Sequence, residues 1–358
     1  MGLPKSIDEL DGAWLGQALH ETGRITDPAG VTIKRAEPLA TGTAYSTSMW
    51  RIELDGPHGT PRTAVVKLPV QGEVRQLLDG ITAYLREVTF YAQLASEVPV
   101  RVPEPYVAAM ENGSTDFVLI LEDLSDLEPA DQLRGLTLQQ AEAAVDALAA
   151  FHAWSWEHPR LEGLKAQFPP LGSVMASRIY GQFMQYFALS WQRARELDAV
   201  ADEVKAFGDR LPELLPFFVE RLSTPRTISH GELRAENLFL LEDGGLLLID
   251  FQAVAQQAGI IDVAYLISSS VDEEVRRGHE EALVRRYQEQ LAAAGVTGYN
   301  FERAWEQFRI AVAFMLLMPG LAFMQYEQTN DRGKQLLVEM LARASDTLVS
   351  IGALELLP

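Results

Sequence analysis

The segment ISHGELRAENLFLLEDGGLLLIDFQ, residues 228–252, consists of two short apolar runs joined by the turn Glu242-Asp243-Gly244-Gly245. Apolar runs around such a turn predict a β-hairpin, and a hairpin returns its ends to each other. Asn237 precedes the first run and Asp250 ends the second, so the hairpin brings a side-chain amide and a carboxylate together. His230 and Glu232 stand just upstream, in the order His-x-acid-x-x-x-x-Asn. Phosphoryl transfer requires such a set. The loop carboxylate takes the proton of an attacking hydroxyl, and Asn237 and Asp250 offer oxygen ligands to Mg²⁺ carried on nucleotide phosphates. A His-Gly-Glu or Asp-Phe peptide alone is commonplace; the joint spacing of the four positions gives the segment its meaning.

With 358 residues, 47% of them hydrophobic, the chain can bury a large core in one bilobal unit or two domains. Fifty acidic against thirty basic residues give a net charge of −20, which repels nucleic acid and anionic membranes. There is no cysteine, so a disulfide framework, a thiolate nucleophile and a cysteine metal site are excluded. The six histidines form no His-Glu-x-x-His zinc pattern. The beginning MGLPKSIDEL lacks the basic and apolar regions of a secretory signal. The longest apolar run, Ile310 to Met324, is interrupted by Pro319-Gly320 and falls short of a bilayer span. The expectation is a cytoplasmic protein with neither nucleic acid nor membrane as partner; oligomeric state is not legible.

Ser6 and Glu9 predict a capping box opening an N-terminal helix. Strands are expected over Val31–Ala36 and around Trp50, Ile52 and Leu54. The small residues between them, including Gly42 and Ser46, suit either a loop over phosphates or an ordinary hairpin. Thr63–Leu68 reads as an apolar strand bearing Lys67, and an amphipathic helix follows with Glu87 among Tyr84, Leu85 and Val88. A lysine on a buried strand needs a partner anion, and a strand lysine with a helix glutamate is the pair that positions nucleotide phosphates in kinases. Tyr106–Met110 and Phe117–Leu121 form a hairpin through Asn112-Gly113. Glu122-Asp123-Leu124 then leaves the sheet, and Ser125 to Gly135 is a polar linker without a period. From the capping box Thr137/Gln140 onward the pattern is helical, with His152 read as a core histidine. Aromatic and methionine residues crowd this second part, from Trp154 to Trp191 and from Phe314 to Met324. Most belong to the core, and an acceptor pocket built there would have apolar walls.

The chain resembles the aminoglycoside phosphotransferase and choline-kinase-like superfamily, and is most similar to its ecdysteroid-kinase-like branch. The motifs are His230-Gly231-Glu232-Leu233-Arg234-Ala235-Glu236-Asn237, Ile249-Asp250-Phe251-Gln252 and Gly259-Ile260-Ile261-Asp262-Val263-Ala264-Tyr265. The resemblance implies an α+β, bilobal, protein-kinase-like fold. Residues 1–123 form a five-stranded nucleotide-binding lobe with one inserted helix, and residues 124–358 a mostly helical lobe carrying the catalytic loop and acceptor pocket. By resemblance Lys67 contacts the phosphates of ATP or another nucleoside triphosphate, and Glu87 holds Lys67. Gly42 and Ser46 lie in the phosphate-covering loop, and the backbone of Glu122 to Leu124 receives the adenine. Asn237 and Asp250 bind Mg²⁺, while His230, Arg234 and Asp262 support the loop; a helix cap would explain Asp262 equally well. The short stretch between Asp250 and Asp262 leaves no room for a peptide-docking segment, so the expected acceptor is the hydroxyl of a small molecule, a bulky apolar alcohol.

Glu232 departs from the pattern, which has aspartate there. One added methylene moves the carboxylate by about 1 Å, a shift that can cost on the order of 100-fold in rate. The loop could sit back so that Glu232 still orients or deprotonates the hydroxyl. Alternatively the protein binds nucleotide or ligand without efficient transfer, or runs another nucleotide-dependent reaction. The first reading is preferred, because phosphoryl transfer relies chiefly on positioning and charge, with the base a lesser contribution.

Overall fold

The computed structural model describes residues 2–39 and 47–358. The chain divides into two compact units: Met1–Leu127 with Ile249–Gln252, and Glu128–Leu248 with Ala253–Pro358.

The first unit is built on an antiparallel sheet in the order β1-β2-β3-β5-β4. Its strands are β1 (Thr32–Pro38), β2 (Thr47–Asp55), β3 (Thr63–Pro69), β4 (Pro105–Met110) and β5 (Phe117–Glu122). Alternation along the strands decides what each face meets. Ala64, Val66 and Leu68 of β3, with Val118 and Ile120 of β5, join Leu15 and Leu19 of α1 (Gly12–Glu21) in one apolar core. The intervening position, Lys67, therefore belongs to the opposite face. There Tyr84 of α3 (Ala83–Gln93) rests on Phe117, ring centroids 4.7 Å apart.

Two expectations are corrected in this unit. The Ser6/Glu9 box does not form: Ser6 precedes a three-residue 3₁₀ turn without a side-chain cap, and Glu9 accepts from the Lys5 N–H instead. Asp11 caps α1 by accepting from Trp14 N at 2.8 Å. The inserted helix is in fact two, α2 (Glu73–Gly80) and α3. Thr82 separates them with a left-handed φ of 60°, its hydroxyl accepting from Arg86 Nε at 3.1 Å.

In the second unit a small sheet joins β6 (Glu128–Pro129), β8 (Leu238–Leu240) and β9 (Leu246–Leu248), and β7 (Thr227–Ser229) pairs with β10 (Ala255–Gln257). The polar linker thus contains a strand. Two residues give no alternation to read, and β6 is fixed by its partner β8. The predicted hairpin forms, with Leu238 opposite Leu248 and Leu240 opposite Leu246.

The helices are α4 (Leu138–Ser155), α5 (Val174–Ala194), α6 (Asp202–Arg210), α7 (Leu215–Leu222), α8 (Ile260–Ser270), α9 (Glu273–Arg276), α10 (Glu280–Ala293), α11 (Phe301–Met315), α12 (Leu317–Ala322) and α13 (Asp331–Ser350). The Thr137/Gln140 capping box on α4 is complete. All eleven residues of α8 are buried, which makes it the axis of the unit. Gly278, φ 82°, separates α9 from α10.

Pro319 does not interrupt its apolar run, because it stands in the first turn of α12, where a missing N–H costs nothing. The continuous stretch Phe301–Gln325 is consequently long and apolar enough to cross a membrane by length and composition, correcting the expectation of a run too short. With 72% of its apolar window buried inside the protein, it serves as a core helix.

Candidate active site

Lys67 Nζ lies 2.5 Å from Glu87 Oε1, and both side chains are buried. Burial would depress the lysine pKa; the charges of Glu87 and then Asp250 override it and hold the ammonium above its ordinary value. Among the described residues Glu87 Oε2 has no hydrogen-bond partner, and the charge of Lys67 is felt by Asp250 as well as by Glu87. Asp250 adopts a left-handed backbone, φ 68°, which aspartate tolerates better than most residues. Its Oδ2 accepts from Gln252 Nε2 at 3.2 Å. Phe251 stacks on Phe90 with centroids 3.6 Å apart and planes within 7°, and Tyr91 meets it edge-on. Glu87, Phe90 and Tyr91 share one face of α3 by their i, i+3, i+4 spacing. The helix that presents the glutamate thus also seats the residue after Asp250.

The expected adenine contacts are constrained. Glu122 N–H already donates to Glu104 O at 2.9 Å, and its carboxylate pairs with Arg101. Asp123 is tied to Arg51 at 2.6 Å and accepts from Ser125 N at 3.1 Å. Leu124 O accepts from Leu127 N, and among the described residues neither Asp123 N–H nor Leu124 N–H donates a hydrogen bond. Gly42 and Ser46 lie outside the described residues.

In the second unit the loop after β7 is organised by Asp262, 1% exposed. Its Oδ1 accepts from Ser229 Oγ at 2.9 Å and Gly231 N at 2.8 Å; its Oδ2 accepts from His230 N at 2.6 Å and His152 Nε2 at 3.0 Å. The side chain therefore grips the loop, and the helix-cap explanation falls away. Burial opposes the charge of Asp262, yet the His152 hydrogen bond, the nearby histidines and the Gly231 amide hold its carboxyl below the usual range.

His152 is a core histidine as read, but it is also the second link of a chain: its Nδ1 lies 2.8 Å from Tyr287 Oη. A carboxylate at Nε2 and a phenol at Nδ1 assign the Nε2–H tautomer. Gly231, φ 86°, is required twice over, since a Cβ there would stand 2.2 Å from Ala253 O.

Asn237 Nδ2 donates to Glu232 O at 2.9 Å, which spans the loop and identifies Oδ1 as the acceptor atom of the side chain. Glu232 N approaches His230 Nδ1 at 3.4 Å. Arg234 pairs with Glu236 at 3.0 Å and contacts Met340. Sequence reading missed Tyr287 and the link between His152 and Asp262. Partners 135 and 110 residues away leave no local signal.

The profile of the ecdysteroid kinase-like family matches residues 41–296. A curated relative, the uncharacterised oxidoreductase dhs-27 of Caenorhabditis elegans, is 24% identical over 88% of this chain; the chain spans 42% of that protein's length. Among solved structures, Plasmodium vivax ethanolamine kinase Pv091845 superposes with a TM-score of 0.55 at 11% identity, over 93% of this chain and 87% of that one. Choline kinase of Cryptosporidium parvum Iowa II gives 0.53 at 12%, over 90% and 91%. The GDP and kanamycin complex of APH(2")-IIia gives 0.52 at 14%, over 94% and 99%. At these identities the likeness is one of fold. On the strength of the family match, which covers more than half of its length, the chain belongs to the ecdysteroid kinase-like family.

Proposed function

We propose that this chain is an ATP- and Mg²⁺-dependent phosphotransferase that moves the γ-phosphate to a hydroxyl of a small molecule with a bulky, apolar body. The reading rests on one observation above others: a buried lysine held by a helix glutamate and stabilised further by the charge of Asp250. A fold spends such a pair where an anion must be met, because burial of unneeded charge is costly.

In this reading Lys67 binds the phosphates, and the N–H of Leu124 meets the adenine edge. The Oδ1 atom of Asn237 and the carboxylate of Asp250 are hard oxygen donors suited to Mg²⁺, which takes one or two protein ligands and completes its shell with phosphate oxygens and water. When bound, the ion offsets charge developing on the transferred group. Glu232 accepts the hydroxyl proton as the acceptor oxygen bonds to phosphorus and the bond to the β-phosphate oxygen breaks. Support for a small acceptor comes from the stretch after Asp250: one 3₁₀ turn and the three-residue β10 fill the interval before α8. An apolar acceptor is favoured by α5, where Tyr180, Phe183 and Tyr186 are only half-buried, with Met324 exposed nearby in sequence to α12.

The test is calorimetry with ATP, with and without Mg²⁺, on the wild type and Asp250→Ala. Mg²⁺-dependent binding weakened at least about tenfold by the substitution is expected, as for a lost charged contact. Absence of nucleotide binding in the wild type would overturn the reading.

A second reading, ligand binding without efficient transfer, has Glu232 in its favour. Glu232→Asp separates the two in an ATP-consumption assay. A loop settled around glutamate predicts that the shortened side chain lowers turnover, by on the order of 10- to 100-fold. A large rise in turnover would show that glutamate is a handicap.

A further inference from the structure

Helix α8 meets the loop at both of its ends. Asp262, near its beginning, takes the His230 and Gly231 amides. Ser270, its last residue, takes the amide of Ala235, which lies between Glu232 and Asn237. We propose that Gln132 and Ser270 are positioning residues that hold this second point of the loop; only the catalytic half of the proposal rests on the phosphotransferase reading.

Ala235 N–H has two acceptors, Gln132 Oε1 at 2.8 Å and Ser270 Oγ at 2.9 Å, and the serine hydroxyl donates to the same Gln132 oxygen at 3.0 Å. Gln132 is 1% exposed and Ser270 is fully buried. Gln132 is itself held through its side-chain amide and its backbone carbonyl. Its Nε2 donates to Ser269 O at 2.5 Å, and its carbonyl accepts from Arg343 Nη1 at 2.7 Å. Leu136 N donates to Ser270 O at 2.7 Å.

These bonds satisfy the last carbonyls of α8, which a helix cannot satisfy internally. That need alone does not explain why the glutamine oxygen and the serine hydroxyl both point at a loop amide. With a rise of about 1.5 Å per residue, α8 sets the two anchor points roughly 12 Å apart and keeps them so. Glu232 and the Asn237 Nδ2–Glu232 O bond lie in the part of the loop between or beside those anchors. A slack second anchor would displace the carboxylate that must meet a hydroxyl to within about 1 Å.

Redundancy is the distinguishing prediction. Either acceptor can serve the Ala235 amide, so Gln132→Leu or Ser270→Ala alone should slow turnover by only about 3-fold, whereas the double variant should lose on the order of 100-fold in kcat with KM for Mg·ATP little changed. Hydrogen exchange, followed by mass spectrometry on a peptide covering residues 230–240 of the full chain, should accelerate at least about tenfold in the double variant and little in either single one. Peptides from α1 and α13 report whether unfolding is global. Ser270→Thr on the Gln132→Leu background keeps a hydroxyl and should restore both protection and kcat.

Unchanged exchange in the double variant, or acceleration shared by α1 and α13, would overturn the anchor. Faster loop exchange with unchanged kcat would overturn its part in positioning while leaving the phosphotransferase reading intact. If the wild type consumes no ATP, the proposed function and the catalytic half fall together, and the exchange result decides the anchor by itself.

Discussion

Asp262→Ala should cost about 3–5 kcal/mol of folding stability, the range for removing one member of a buried, hydrogen-bonded charge set. The substitution strips acceptors from two backbone amides, a serine hydroxyl and His152 at once, and none of these donors can reach water without opening the loop. Asn is not a safe replacement, because its NH₂ would face an amide donor in either orientation.

The pH dependence has a definite sign. The carboxyl is held below its ordinary value in the folded state, so its contribution is fully present above the unfolded aspartate pKa, about 3.9. It is lost as pH falls through the lower folded value. Wild type and Asp262→Ala should differ most near neutrality in denaturant midpoint and converge on acidification below about pH 4. A gap that widened in acid would sink this account of Asp262.

Lys67→Met should be nearly as severe for stability, and worse for function. Glu87, 1% exposed, would be left as a buried carboxylate with no cation, again about 3–5 kcal/mol. Adding Glu87→Leu removes the orphan, and replacement of a buried pair by apolar groups of similar volume is often neutral. The double variant should therefore recover most of the lost stability. On the proposed role of Lys67 at the phosphates, turnover should not recover; a loss on the order of 10²–10³-fold is expected, as for other preorganised charge contacts. Thermal denaturation and ATP consumption measured side by side on both variants test the split. Recovery of turnover with stability would mean that Lys67 is structural only.

The parts legible in sequence were those whose chemistry is local. The hairpin Leu238–Leu248 could be read because its two apolar runs and their turn are contiguous in sequence. Lys67 and Glu87 could be paired because strand and helix periods each leave one polar group on an apolar face. The two-residue β6 could not be read, having no period to show. The Ser6/Glu9 box failed because Asp11, two residues after it, offers a carboxylate to Trp14 N and starts the helix there. Above all, the acceptors of the loop amides come from α8 and from Gln132, far along the chain, where serine and glutamine look like surface residues. Their burial is a tertiary fact.

The stack of Phe251 on Phe90 joins two groups of different purpose. Both rings are fully buried and Phe90 is one helical turn from Glu87, so trimming either ring would loosen the helix that presents the glutamate together with the turn that presents Asp250. One packing contact thus governs the placement of both carboxylates whose charges hold the Lys67 ammonium.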